Sequence, residues 1–167
     1  KRVKSNLRGS PGLDTNALQP DIVAGNAQCM PLDDETVDLI ITSPPYASNA
    51  IDYMRAHKFS LIWFGNSINH LGQLRDKYIG GESATNLKRV EMPAKVTHVL
   101  EALNAKDPRK KRAFERYYLE MERVLSEMYR VLRPGKAALL VVGTSVIRGI
   151  DIEIANCLAE LGKQLGF

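Results

Sequence analysis

Val37-Asp38-Leu39-Ile40-Ile41-Thr42-Ser43-Pro44-Pro45-Tyr46 is the stretch on which the fold turns. Its first six residues are β-branched or apolar almost throughout, and Pro44-Pro45 close them. A strand of that kind suits a sheet covered on both faces, which is usually parallel. Upstream, Asp21-Ile22-Val23-Ala24 is a short apolar run ending at Gly25 and reads as a second buried strand, parallel to and beside the first. Downstream, from Ala113 to Leu132, apolar residues fall at Phe114, Tyr117, Tyr118, Met121, Val124, Leu125, Met128, Val131 and Leu132. Steps of three and four predict a long amphipathic helix, stopped by Arg133-Pro134-Gly135. Ala137 to Val142 follows as an apolar strand, Thr144 to Ile150 as a connection, and Asp151 to Leu165 as a helix with Asp151 near its N-terminus. Strand, strand, helix, strand, helix is the wiring of an open α/β sheet with helices on both faces.

The carboxyl edge of such a sheet is where ligands bind, and Thr42-Ser43-Pro44-Pro45-Tyr46 lies at that edge. Two prolines remove two backbone N–H groups and fix φ twice, so the loop is stiff while its carbonyls remain acceptors. Ser43 adds a hydroxyl and Tyr46 a flat ring. That set suits a planar ring bearing an exocyclic amine.

At 167 residues the chain is about one domain. A charged share of 25% and a hydrophobic share of 44% exclude a disordered or collagen-like chain. No run of 18 apolar residues exists to span a membrane, and no apolar core follows Lys1-Arg2-Val3-Lys4 as in a secretory signal. Cys29 and Cys157 are too few for a disulfide framework and read as buried thiols in a reducing cytoplasm. Cys29 has no Cys or His at ligand spacing, so no metal is expected. Phe59, Leu61 and Trp63 read as core.

The net charge of +4 permits a polyanionic partner. Much of it sits in a basic insert at about 65–112, a polar stretch with little periodicity beyond a helical patch near Val96–Leu103. From His70 to Arg116 there are eleven Lys/Arg against six Asp/Glu. The densest cluster, Lys106 to Arg112, includes Arg109, Lys110 and Lys111 and reads equally as a phosphate contact or as a solvated helix start. Arg55, His57 and Lys58 follow the proline loop on a helix and reach phosphates or solvent. Phosphate contacts give affinity and position, not sequence readout.

Ser43-Pro44-Pro45-Tyr46 resembles the catalytic motif of the amino-methyltransferases of DNA, and its Ser form resembles most the N4-cytosine enzymes. Asp38-Leu39-Ile40-Ile41-Thr42 also matches, as does Arg130-Val131-Leu132-Arg133-Pro134-Gly135 before a strand. Asn49 to Arg55 resembles one bacterial branch. The resemblance implies a Rossmann-like S-adenosylmethionine-dependent methyltransferase sheet and one catalytic domain over residues 1–167. The implied reaction moves a methyl group from S-adenosylmethionine to N4 of cytosine, or to N6 of adenine, in double-stranded DNA. The Ser43 hydroxyl and Pro44 carbonyl would accept the amine's N–H bonds, Pro45 would stiffen the loop, and Tyr46 would stack on a base rotated out of the duplex. Gly25, Asn26, Ala27 and Thr42 would face the cofactor, Asn26 standing where the family usually has Asp. Asp14, in Gly12-Leu13-Asp14-Thr15-Asn16, would hold the ribose. The implied setting is a prokaryotic cytoplasm, at the nucleoid, in restriction–modification.

Two features depart from the family. Its glycine-rich cofactor loop is absent, and Asp14 and Asp21 are seven positions apart, where a crossover needs at least about 10–12 residues. The expectation is therefore a partial chain: a break within Gly9–Pro20, a gap filled by another chain, or an incomplete sheet. An RNA base methyltransferase and a non-catalytic nucleic-acid-binding module remain as rival readings.

Overall fold

A computed structural model describes residues 21–46, 53–75, 79 and 91–167, with side chains 53–56 and 72–75 left aside. The elements run β1 (Val37–Thr42), α1 (Tyr53–Trp63), α2 (Ile68–Arg75), α3 (Ala94–Lys106) and α4 (Pro108–Val131). They continue with β2 (Leu132–Leu140), β3 (Val146–Ile147), β4 (Ile150–Asp151) and α5 (Ile154–Leu165). Among the described residues, β1 and β2 form a two-stranded parallel sheet and β3 and β4 a small antiparallel one.

The long helix forms where its apolar spacing placed it and starts one turn earlier. Asp107 caps it, its carboxylate accepting from the N–H groups of Arg109 and Lys110, and Pro108 takes the first position, where a missing N–H costs nothing. Phe114, Tyr117, Tyr118, Met121 and Met128 are fully enclosed. They pack between α3, through Val96, Val99, Leu100 and Leu103, and α5, through Ile154, Cys157, Leu158 and Leu161. Ile40, Ala138, Leu140 and Val142 close this core from the sheet side. α5 ends at Gly166, whose φ of 109° lets the N–H groups of Gly166 and Phe167 reach back to Lys163 and Gly162. A Cβ there would lie 2.9 Å from Tyr129 Oη, so only glycine fits.

The parallel ladder pairs Val37 with Leu132, then resumes with Leu39 opposite Ala137. Arg133, Pro134, Gly135 and Lys136 bulge out between. Asp38 sits opposite that bulge, 2.9 Å from an Arg133 guanidinium nitrogen and 3.3 Å from Lys136 Nζ. The two cations hold its carboxyl below the ordinary carboxylate range, Arg133 most.

Several expectations are corrected. Asp21–Ala24 is not a strand: it forms no ladder, and Ile22 and Val23 are exposed. β1 takes its partner from the other end of the chain, and a strand without a ladder has no backbone bonds to hold it extended. Thr144–Ile150 carries a hairpin whose turn, Arg148 at φ 54° and Gly149 at φ 76°, has the mirror-image geometry that matches strand twist. The following helix therefore begins at Ile154 instead of Asp151. Cys157 is buried but Cys29 is exposed. Phe59 and Trp63 are 78% and 92% exposed instead of core, because α1 packs against α2. Described helices cover one face of the β1–β2 pair. Leu39, Ile41, Leu139 and Val141 are exposed on the other. The Gly9–Pro20 region and Asp14 lie outside the described residues.

Phe114 is the enclosed aromatic at the start of α4. Phe114→Ala should destabilise the fold by about 3–5 kcal/mol, read from the urea midpoint, because the cavity cannot collapse between two packed helices.

Candidate active site

The ladder runs to the end of β1. The N–H of Val141 donates to the Thr42 carbonyl at 2.9 Å, so the Ser43–Tyr46 loop leaves from a fixed point. Pro44 is buried and Pro45 half-buried, which seats the stiff part of the loop, while Ser43 and Tyr46 are exposed. Ser43 Oγ and Tyr46 Oη are hydrogen-bonded at 3.0 Å. The Tyr46 ring lies against Gly143, just past β2: a Cβ on Gly143 would meet it at 3.8 Å. The carboxyl ends of both parallel strands thus meet at one place, as an open α/β sheet requires of a binding edge. Gly143 was not among the residues the sequence singled out. Its signal is a small residue ending the second apolar strand.

The Asn26 turn is built separately. Asn26 Oδ1 accepts from the Gln28 N–H at 3.0 Å, and the Asn26 carbonyl from the Cys29 N–H at 2.9 Å. Gly25, Asn26 and Ala27 are exposed. The exit of the turn is clamped to α4. The Met30 N–H donates to Glu127 Oε2 at 2.8 Å, and Arg130 donates to the carbonyls of Met30 and Leu32 and to Asp34. Glu127 and Arg130 also pair with one another. Arg130, then the Met30 N–H, pulls the Glu127 carboxyl down to about 2. Neither residue of this clamp stood out in the sequence as a site residue, since a Glu and an Arg three apart on a helix look like an ordinary surface pair.

The basic residues lie on separate elements. Arg55 belongs to α1, with its side chain outside the described set, and Lys58 is exposed on the same helix. Arg109 is exposed and Lys110 half-buried at the start of α4, where both backbones bind Asp107, and Lys111 pairs with Glu115 at 2.6 Å. The hairpin brings Arg148 to this helix start: it pairs with Asp107 at 3.2 Å and its carbonyl accepts from Lys106. The N–H of Lys110 chiefly, then Arg148, keeps the Asp107 carboxyl below its usual range. Among the described residues, no group of three or more His, Cys, Asp and Glu could hold a metal, and no helix is long and apolar enough to cross a membrane.

A family profile of DNA methylases, the N6/N4 methyltransferases, matches residues 37–164. The chain belongs to this family. Its members take the methyl group from S-adenosylmethionine. The Type II methyltransferase M.AvaI of Nostoc sp. (strain PCC 7120), and that of Anabaena variabilis, are 27% identical over 164 aligned positions, covering 85% of this chain and 34% of theirs. The Type II methyltransferase M.MvaI of Kocuria varians is 26% identical over 148, covering 78% of this chain and 31% of its own. This DNA methylase chain thus spans about a third of the length of these relatives. No solved structure matches it.

Because the Glu127 carboxyl titrates lower when folded, the stability it contributes is complete above its ordinary value of 4.5 and is lost as pH falls towards 2. Glu127→Gln should flatten the acid side of the melting-temperature profile in that window. Thermal melts across pH 2–6 check it, and an unchanged slope would remove the clamp from the account.

Proposed function

We propose that this DNA methylase chain carries the target-amine half of a site that methylates the exocyclic amine of a base in double-stranded DNA, N4 of cytosine before N6 of adenine. The observation that supports this best is the Ser43–Tyr46 loop seated at the common carboxyl edge of two parallel strands, with a hydroxyl and a ring side by side. The β1–β2 pair is then part of a Rossmann-like sheet within a methyltransferase domain, working in a prokaryotic cytoplasm on nucleoid DNA.

An exocyclic amine is a poor nucleophile because its lone pair is delocalised into the ring. Acceptors that take its N–H bonds draw the nitrogen towards a tetrahedral shape and free that pair. The Ser43 hydroxyl and the Pro44 carbonyl have that role, and Pro45 keeps them from turning away. Such acceptors stabilise positive charge as it develops on nitrogen. Tyr46 stacks on the base once it leaves the duplex, and Gly143 leaves room behind the ring. Holding nitrogen and methyl in line supplies much of the remaining acceleration. S-adenosylmethionine, when bound, supplies the electrophilic methyl group. The Asn26 turn fits its adenine end: the turn is exposed, and Asn26 Oδ1 keeps a lone pair beyond the one given to Gln28. Ala27 offers a backbone N–H, Thr42 lines the edge, and Asp14 takes the ribose. Arg55, Lys58, Arg109, Lys110 and Lys111 are the phosphate contacts.

Ser43→Ala should lower the single-turnover methylation rate far more than DNA affinity, because its contact strengthens as charge develops. A change confined to affinity would make Ser43 a positioning group instead. Tyr46→Ala removes a stacking contact worth roughly 1–3 kcal/mol, so turnover should fall about tenfold or more while S-adenosylmethionine binding, measured by calorimetry, holds. Full activity in that variant would remove Tyr46 from the site.

A further inference from the structure

The helix that follows the catalytic loop presents a surface the proposed chemistry does not use. Phe59 and Trp63 lie one turn apart on α1, on one stripe of the helix. Phe64 follows directly, in the turn to α2. These three aromatics are 78%, 92% and 84% exposed. Soluble surfaces rarely keep rings of that size in one patch unless something covers them. The charge around the patch says what. Within their own bounds α1 and α2 hold Arg55, His57, Lys58, His70 and Arg75 and no Asp or Glu, with Asp52 and Asp76 just outside the two ends. The chain as a whole has nearly as many carboxylates as cations, 19 against 23. Two helices that carry basic side chains and no acid of their own, with three exposed aromatics, suit a polyanion that also offers flat rings.

We infer that Phe59, Trp63 and Phe64 form a base-stacking contact for DNA, separate from the ring of Tyr46. The inference rests on the DNA-methylating reading above and adds a second contact to it. Drawing one base out of a duplex leaves its neighbours without a stacking partner. Aromatic and apolar side chains are the groups that insert at such opened steps, and every base has a face for them. The basic residues on the same hairpin hold the backbone close, with the salt dependence that phosphate contacts bring.

Trp63 is the only tryptophan in the sequence, so the contact has its own reporter. In the full-length protein, the difference between the parent and Trp63→Phe emission spectra isolates it. Before DNA is added, acrylamide should quench that emission freely. Titration with a short duplex carrying one mismatched pair should then quench it and shield it from acrylamide. Trp63→Ala and Phe59→Ala should each weaken DNA affinity about tenfold and leave S-adenosylmethionine binding unchanged, while Trp63→Phe, which keeps a ring, should restore most of the affinity. DNA that binds without altering Trp63 emission or shielding overturns the inference, and Ser43→Ala then still tests the methylating reading independently. Emission already shielded in the free protein means a protein segment covers the patch, which also overturns it. A parent protein that binds no DNA at low salt sinks the methylating reading and this contact together.

Discussion

β1 and β2 run side by side in the same direction, and the rest of the molecule depends on that pairing. Parallel strands cannot be joined by a tight turn; the chain must travel back along the sheet before it can pair again. Here the return is made by α4, which lies over the sheet and delivers Leu132 opposite Val37. Several charged groups at the amino end of the pair fix where β1 starts. The backbone N–H groups of Glu35 and Thr36 donate to the carbonyls of Arg130 and Val131. Arg133 donates to the Glu35 carbonyl and pairs with Asp38. A slip of one residue would turn Ile40 out of the core and Ile41 into it, so these contacts decide which side chains are buried. At the carboxyl end the same register pairs Thr42 with Leu140, brings the Val141 N–H to the Thr42 carbonyl, and so sets Tyr46 against Gly143.

The pairing also leaves the sheet with two unlike faces. Ile40, Ala138 and Leu140 pack on the helices, while Leu39, Ile41, Leu139 and Val141 are exposed. A parallel pair that is apolar on both faces belongs inside a covered sheet. Ile41 alone is 66% exposed. The near-continuous apolar run of β1, which announced a doubly covered strand, is therefore satisfied on one side by the described residues.

That contrast explains what was legible in the sequence. α4 was readable because its period is long, its apolar stripe is complete and Arg133-Pro134-Gly135 marks its end, whereas its start at Asp107-Pro108 was missed because the first turn, Arg109 to Arg112, carries no apolar residue. β1 and the second half of β2 were readable because β-branched and apolar runs closed by proline or glycine have few other uses. Asp21–Ala24 misled because its three apolar residues carry a strand's composition without its partner; pairing is not written in local sequence. Phe59 and Trp63 misled for the opposite reason: size and hydrophobicity argue for burial, but burial needs an element to pack against, and α1 packs on the short α2 and contributes no residue to the core built by α3, α4 and α5. In the site, the Ser43–Tyr46 loop was legible from its chemistry. Gly143, Glu127 and Arg130 were not, because each acts across about a hundred residues of chain or as a space left empty.

Charge patterning shows why a count of basic residues is a poor guide to where a polyanion would sit. The excess from His70 to Arg116 looks like one basic surface. In the fold, Lys111 is held by Glu115, Arg116 by Glu120 in a buried pair, and Lys95 by Glu153. Arg130, Arg133, Lys136 and Arg148 likewise face carboxylates. A phosphate approaching any of them competes with an acid already in place. The helices α1 and α2 carry no acid within their own bounds, although Asp52 and Asp76 stand at the two ends of the hairpin. The hairpin begins seven residues after Tyr46. In the insert, then, a share of the basic charge is spent on pairing within the fold, and the count of cations overstates what is left for a partner.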